Sequence, residues 1–117
     1  MTRIIIICLT CFSLLACATT SPRVQSELNQ GKRYFEQGYY KRAMHELLPI
    51  ACDGNAEAQY AVGYMYYYGL GVAQDTDVGH FWIMRSASKG YPPAIKALEM
   101  IEVSKKSNRP SPWKKTG

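Results

Sequence analysis

Small residues recur along this chain at a fixed spacing of 36: Ala43, Ala51, Gly54 and Ala58 are matched by Gly79, Ala87, Gly90 and Ala94. A period in the thirties is the mark of stacked helix-turn-helix units, which cannot bury their apolar faces alone and repeat to cover them. The fold class expected is therefore all-α, a short α-solenoid. Local signals place helices over 23–37, 40–52, 56–68, 76–89 and 92–104. Gly38, Gly54 and Gly90 each follow a helix, where a left-handed residue closes the last turn. Asn55 and Asp75 stand at N-cap positions. Pro92 and Pro93 fit a first turn, where a missing donor costs nothing. Pro49 lies inside the second helix at a cost of about 3 kcal/mol and is expected to kink it or end it early. Outside the first 15 residues no apolar alternation suggests strands.

The 117 residues amount to one domain, and its two ends read differently from its middle. Met1-Thr2-Arg3 followed by the apolar run Ile4 to Leu15 has the form of a secretory signal, too short to span a bilayer. Leu14-Leu15-Ala16-Cys17 resembles the lipobox of bacterial lipoproteins. That resemblance implies removal of residues 1–16, acylation of Cys17 as a membrane anchor, and a tether over 17–22. It also implies export to the bacterial cell envelope. Ala18 in place of the retention Asp favours the outer membrane, with the facing left open. Ala16-Cys17-Ala18 equally suits ordinary signal peptidase, cutting after Ala18. In either case Cys52 remains alone, so no internal disulfide is expected. The formal charge of +5 is a property of the tail: residues 105–117 carry five Lys or Arg and no acid. The tail, with Trp113, reads either as a disordered solubilising end or as a contact for an anionic surface such as lipid headgroups. Residues 18–104 hold eight cations against nine acids, which argues against a nucleic-acid partner.

Between these ends, Ala58, Gly63, Tyr66, Gly69, Gly71-Val72, Asp75, Gly79, Trp82, Ala87 and Gly90 form a spaced pattern. It resembles the Sel-one-like repeat, a relative of the tetratricopeptide repeat. The resemblance implies one complete repeat over 56–91, a shorter tetratricopeptide-like unit over 23–54 with Gly31, Tyr34 and Ala43 at its key positions, and a repeat domain over 23–104. In the last helix Glu99 and Glu102 replace the small and aromatic residues, so that helix is expected to cap the array through Ile95, Leu98 and Ile101. A glycine inside a helix costs about 1 kcal/mol relative to alanine, so Gly63 needs a packing reason; facing Gly79 would supply one.

Chemistry-bearing constellations are scarce. Gly69-Leu70-Gly71 lacks the lysine of a phosphate loop. His45 and His80 have no ligand partner at metal spacing, and Asp75 with Asp77 reads as a helix N-terminus. No catalytic residue, metal or cofactor is expected, and the chain is not expected to be an enzyme; a small hydrolase is the remotest alternative. At about 100° per residue, Gln59, Val62, Gly63 and Tyr66 share one helix face, while Tyr60, Tyr64, Tyr67 and Tyr68 project from another. By the tetratricopeptide resemblance that second stripe lines a concave groove, continued by Leu28, Lys32, Phe35 and Glu36 of the first unit. The function expected is that of an envelope-anchored adaptor that binds a protein, as an extended peptide or a partner helix, in the groove, with Lys32 meeting an acidic group. Two alternatives stand: the stripe is covered by the tail or the last helix, or the protein is an accessory of an envelope complex that uses its outer surface.

Overall fold

The computed structural model describes residues 21–107, so Cys17, the signal region and most of the basic tail lie outside the described residues. The described residues form five helices and no strand: α1 (Pro22–Glu36), α2 (Tyr40–Cys52), α3 (Ala56–Tyr68), α4 (Thr76–Ser88) and α5 (Pro92–Ser107). Each helix packs on the one before and the one after it in the chain. This is the short helical array expected.

Local chemistry explains the helix ends. The Asn55 side chain accepts from the Ala58 backbone N–H at 2.9 Å, and Asp75 accepts from Asp77 and Val78 at 3.1 and 3.0 Å, satisfying donors that a first turn leaves bare. Gly38, Gly54 and Gly90 all have positive φ. Helix α2 runs through Pro49 to Cys52 rather than stopping at it. The carbonyl that loses its donor there belongs to His45, and both residues lie on the exposed face, where solvent is within reach of the unpaired carbonyl. Helix α5 runs three residues further than expected, taking Lys105 and Lys106 into its last turn, where cations suit the negative helix end.

The repeat is visible as packing. A Cβ on Gly31 would lie 2.6 Å from the Leu47 side chain, and one on Gly63 would lie 2.8 Å from the Ile83 side chain. Leu47 and Ile83 are 36 residues apart, so the same glycine-on-branched-aliphatic crossing joins α1 to α2 and α3 to α4. At the second crossing Gly63 and Gly79 face each other: a Cβ on either would come within 2.9 Å of the other's carbonyl oxygen. The main core gathers Leu28, Ala43, Met44, Leu47, Ile50, Ala51, Ala58, Val62 and Met65, with Tyr66 and Trp82 packed against it. A smaller cluster of Ile83, Ala94 and Ile101 joins α4 to α5.

Two polar links fix the units to each other. Buried Gln59 donates to the Ala51 carbonyl at 3.0 Å, and the Ser86 hydroxyl donates to the Ala56 carbonyl at 2.5 Å. The loop Gly69–Asp75 is pinned by Leu70 N–H donating to Met65 and Asp75 N–H donating to Tyr66. Gly71, at φ 70°, lies so close to the Tyr40–Lys41 backbone that a Cβ would sit 2.7 Å away, so only glycine fits in both conformation and space.

The capping of α5 needs one correction. Leu98 and Ile101 face the array as expected, but Ile95 is 41% exposed and Ala94 is buried in its place. The inward stripe is Ala94, Ala97, Leu98 and Ile101, which follows helical spacing; Ile95 lies one position off it.

Candidate partner groove

Helix α3 runs between α1 and α5, and its outward stripe forms the floor of an open groove. Along that floor the rings touch in sequence. Tyr60 and Tyr64 have ring centroids 6.2 Å apart, Tyr64 and Tyr68 4.6 Å, and Tyr67 and Tyr68 5.1 Å. Phe35 of α1 meets Tyr64 edge-on at 5.7 Å and Tyr40 at 5.5 Å. On the other side Tyr91, just before α5, lies 5.6 Å from Tyr60. Edge and offset contacts of this kind add to area burial and hold the rings in place.

Two hollows share Tyr60 and Tyr64. The first, of 180 Å³, is bounded by Phe35, Leu47, Ala61 and Tyr91 with Lys32, Glu36 and Glu57. The second, of 270 Å³, lies toward α5 and is bounded by Tyr67, Tyr68, Ile83, Met100 and Ile101, among others. The sequence-assigned groove residues Tyr60, Tyr64, Phe35 and Lys32 therefore come together at one hollow. Tyr67 and Tyr68 come together at the other. They differ in character: Tyr67 also packs on the Ile83 cluster, whereas Tyr68 is 57% exposed. Leu28 does not join them; it is buried in the main core. The last helix lines the groove without closing it.

Lys32 is placed differently from its expected use. Its ammonium lies 2.6 Å from the Glu57 carboxylate, so it is engaged within the chain rather than held ready for an incoming acid. The hydrogen bond from Lys32 to Glu57, and then the Glu57 charge, hold its pKa above the ordinary 10.5. Burial raises the Tyr60 and Tyr91 phenols above 10.0, because desolvation penalises the phenolate. All three shifts favour the protonated groove. As pH rises, the unfolded chain releases these protons first, so stability present below about pH 10 is lost progressively above it. Melting temperatures across about pH 9 to 11 should fall for the wild type and fall less steeply for Tyr60→Phe. Parallel profiles would show that burial does not raise the Tyr60 phenol as described.

Glu57 and Tyr91 are groove residues that sequence reasoning missed. Glu57 lies in the first turn of α3, seven residues before Tyr64 and so on the same helix face, where carrying the stripe back one turn finds it. Tyr91 directly follows Gly90, whose left-handed turn was legible. Elsewhere His80 contacts Glu102 at 3.2 Å on the rim between α4 and α5, and Cys52 is exposed at the end of α2. Among the described residues no group of three or more His, Cys, Asp or Glu stands close enough to hold a metal ion. No described helix is long and apolar enough to cross a membrane.

Comparison with known proteins gives a partial likeness. The chain is 46% identical over 65 residues to chitin synthase regulatory factor 3 of Schizosaccharomyces pombe, a match covering 56% of this chain and 7% of that protein. The chain thus aligns with a small part of a much longer relative. No protein-family model matches, and no solved structure does. These findings correct the sequence reading. The relative is a eukaryotic regulatory factor, which overturns the assignment to a bacterial envelope lipoprotein with an acyl anchor at Cys17 and a place in the outer membrane. The identification as a member of the Sel-one-like family is withdrawn with it. The helical array rests on the structure itself.

Proposed function

We propose that this chain is a non-catalytic regulatory module whose groove holds a segment of a partner protein. The observation that carries this reading is the run of touching rings from Tyr40 through Phe35, Tyr64 and Tyr60 to Tyr91, with Tyr68 beside it, left open between α1 and α5. A solvated helix face needs no such stripe. Tyrosine is favoured at protein interfaces because it offers a large amphipathic surface at low entropic cost. The likeness to a regulatory factor supports a protein partner, since regulation by a module without catalytic groups works through binding.

Tyr64→Ala combined with Tyr68→Ala tests the reading. Tyr68 is preferred to Tyr67 because its side chain is not part of the α4–α5 core. Retention of a partner from a native extract should fall about 30-fold or more, as for loss of interface hot spots, while helicity and melting temperature stay close to wild type. An identical set of retained proteins for wild type and variant would exclude the groove as the binding surface.

A further inference from the structure

Resting on the groove reading above, we infer the chemistry of the segment it holds: a stretch of a partner protein carrying an aromatic side chain next to lysine or arginine. The ring fills the hollow between α1 and α3, and the cation meets Glu36 and Glu57 at its mouth.

Size and lining select the ring. The hollow measures 180 Å³ and is walled by Phe35, Tyr60, Tyr64, Tyr91, Leu47 and Ala61. An apolar space of about 150 Å³ admits a benzene ring, so this one takes a single aromatic side chain, met by ring edges and faces. Charge selects the residue next to that ring. Lys32, Glu36 and Glu57 are the ionisable acid and base groups at this hollow. Lys32 and Glu57 already pair at 2.6 Å, and Glu36 makes no ion pair with a described residue. The mouth therefore carries a net negative charge. An incoming carboxylate would meet Glu36 and find the one ammonium taken, whereas an incoming cation joins Glu36 and shares Glu57. Complementary charge of this kind sets which partners are admitted and in what register. The second hollow shares Tyr60 and Tyr64 and runs on toward Met100 and Ile101, so a segment seated in the first has an apolar path along α3.

The test is fluorescence anisotropy with the full chain and a labelled, end-blocked peptide, Gly-Ser-Pro-Trp-Lys-Lys-Ser-Gly. Replacing the peptide's Trp by Ala should weaken binding about 30-fold, and replacing its two Lys by Glu about tenfold or more. Glu36→Lys in the protein should reverse the second preference, a readout that simple misfolding would not give. Tyr64→Ala should weaken every peptide. If peptides bind through Tyr64 with no regard to charge, the proposed partner chemistry is overturned and the groove reading stands. If the protein partner is retained through Tyr64 but no peptide binds, the inference again fails alone. If neither partner nor peptide depends on Tyr64, the groove reading itself fails. The chain's own Trp113-Lys114-Lys115 has the same chemistry. Should the peptide bind only after these three are replaced by alanine, the occupant is this chain's own segment and the assignment to a partner protein is overturned.

Discussion

Gly63→Leu is expected to remove a large share of the stability of this chain. A Cβ at position 63 would lie 2.9 Å from both the Gly79 carbonyl oxygen and the Ile83 backbone nitrogen, and 2.8 Å from the Ile83 side chain. Two of those neighbours are backbone, so α3 and α4 must separate before the rest of the leucine is placed. Overpacking typically costs about 1–3 kcal/mol and occasionally more. The gain in helix propensity from glycine to leucine returns less than about 1 kcal/mol. A domain of this size is held by only about 5–15 kcal/mol in total, so thermal unfolding should begin about 10 °C or more below wild type. Gly79→Ala should act in the same direction, since its Cβ would meet the Tyr67 backbone nitrogen at 2.7 Å. A Gly63→Leu melting temperature within about 2 °C of wild type would contradict the glycine-to-glycine crossing.

The second large effect lies at the equivalent crossing in the first unit, where the sign of one substitution depends on another. Leu47 is fully buried and also lines the first hollow. Leu47→Ala should cost about 2–5 kcal/mol, the lost transfer energy plus a cavity. Gly31→Ala alone should destabilise, because its Cβ would lie 2.6 Å from the Leu47 Cγ and Cδ2. In the Leu47→Ala background that same Cβ enters vacated space and adds helix propensity worth about 1 kcal/mol, so Gly31→Ala should then stabilise. Denaturant titration of the four proteins in this cycle measures the coupling directly. Additive effects would mean that Gly31 and Leu47 do not share the space assigned to them. Peptide binding provides an independent reading, because Leu47→Ala deepens the hollow from below and should favour a larger ring over a smaller one.

These crossings also show how far the sequence reached. Gly63 was identifiable as a residue needing a close neighbour, because glycine inside a helix is costly. The 36-residue period marked Gly79 only as a small residue equivalent to Ala43; that it faces Gly63 is seen in the structure. The tyrosine stripe was legible for a similar reason: once one face of α3 is assigned inward, helical geometry fixes where Tyr60, Tyr64 and Tyr68 point. The resemblance that named a family and a bacterial envelope was a different kind of argument. It rested on short patterns at the chain's start and in its repeat, and the likeness to a eukaryotic regulatory factor overturned it.

What the sequence by itself determined was the set of helices and their ends. Caps at Asn55 and Asp75, left-handed glycines after helices, and the spacing of small residues act through bonds and contacts within a few residues or one repeat. The pairing of Lys32 with Glu57 and the meeting of Tyr91 with Tyr60 were decided only by the tertiary structure. Each depends on the distance and rotation between elements far apart in the chain. Those quantities are set by how side chains interlock across an interface, and no local spacing encodes them. The same interlocking turned a stripe of tyrosines into a hollow with an acidic mouth.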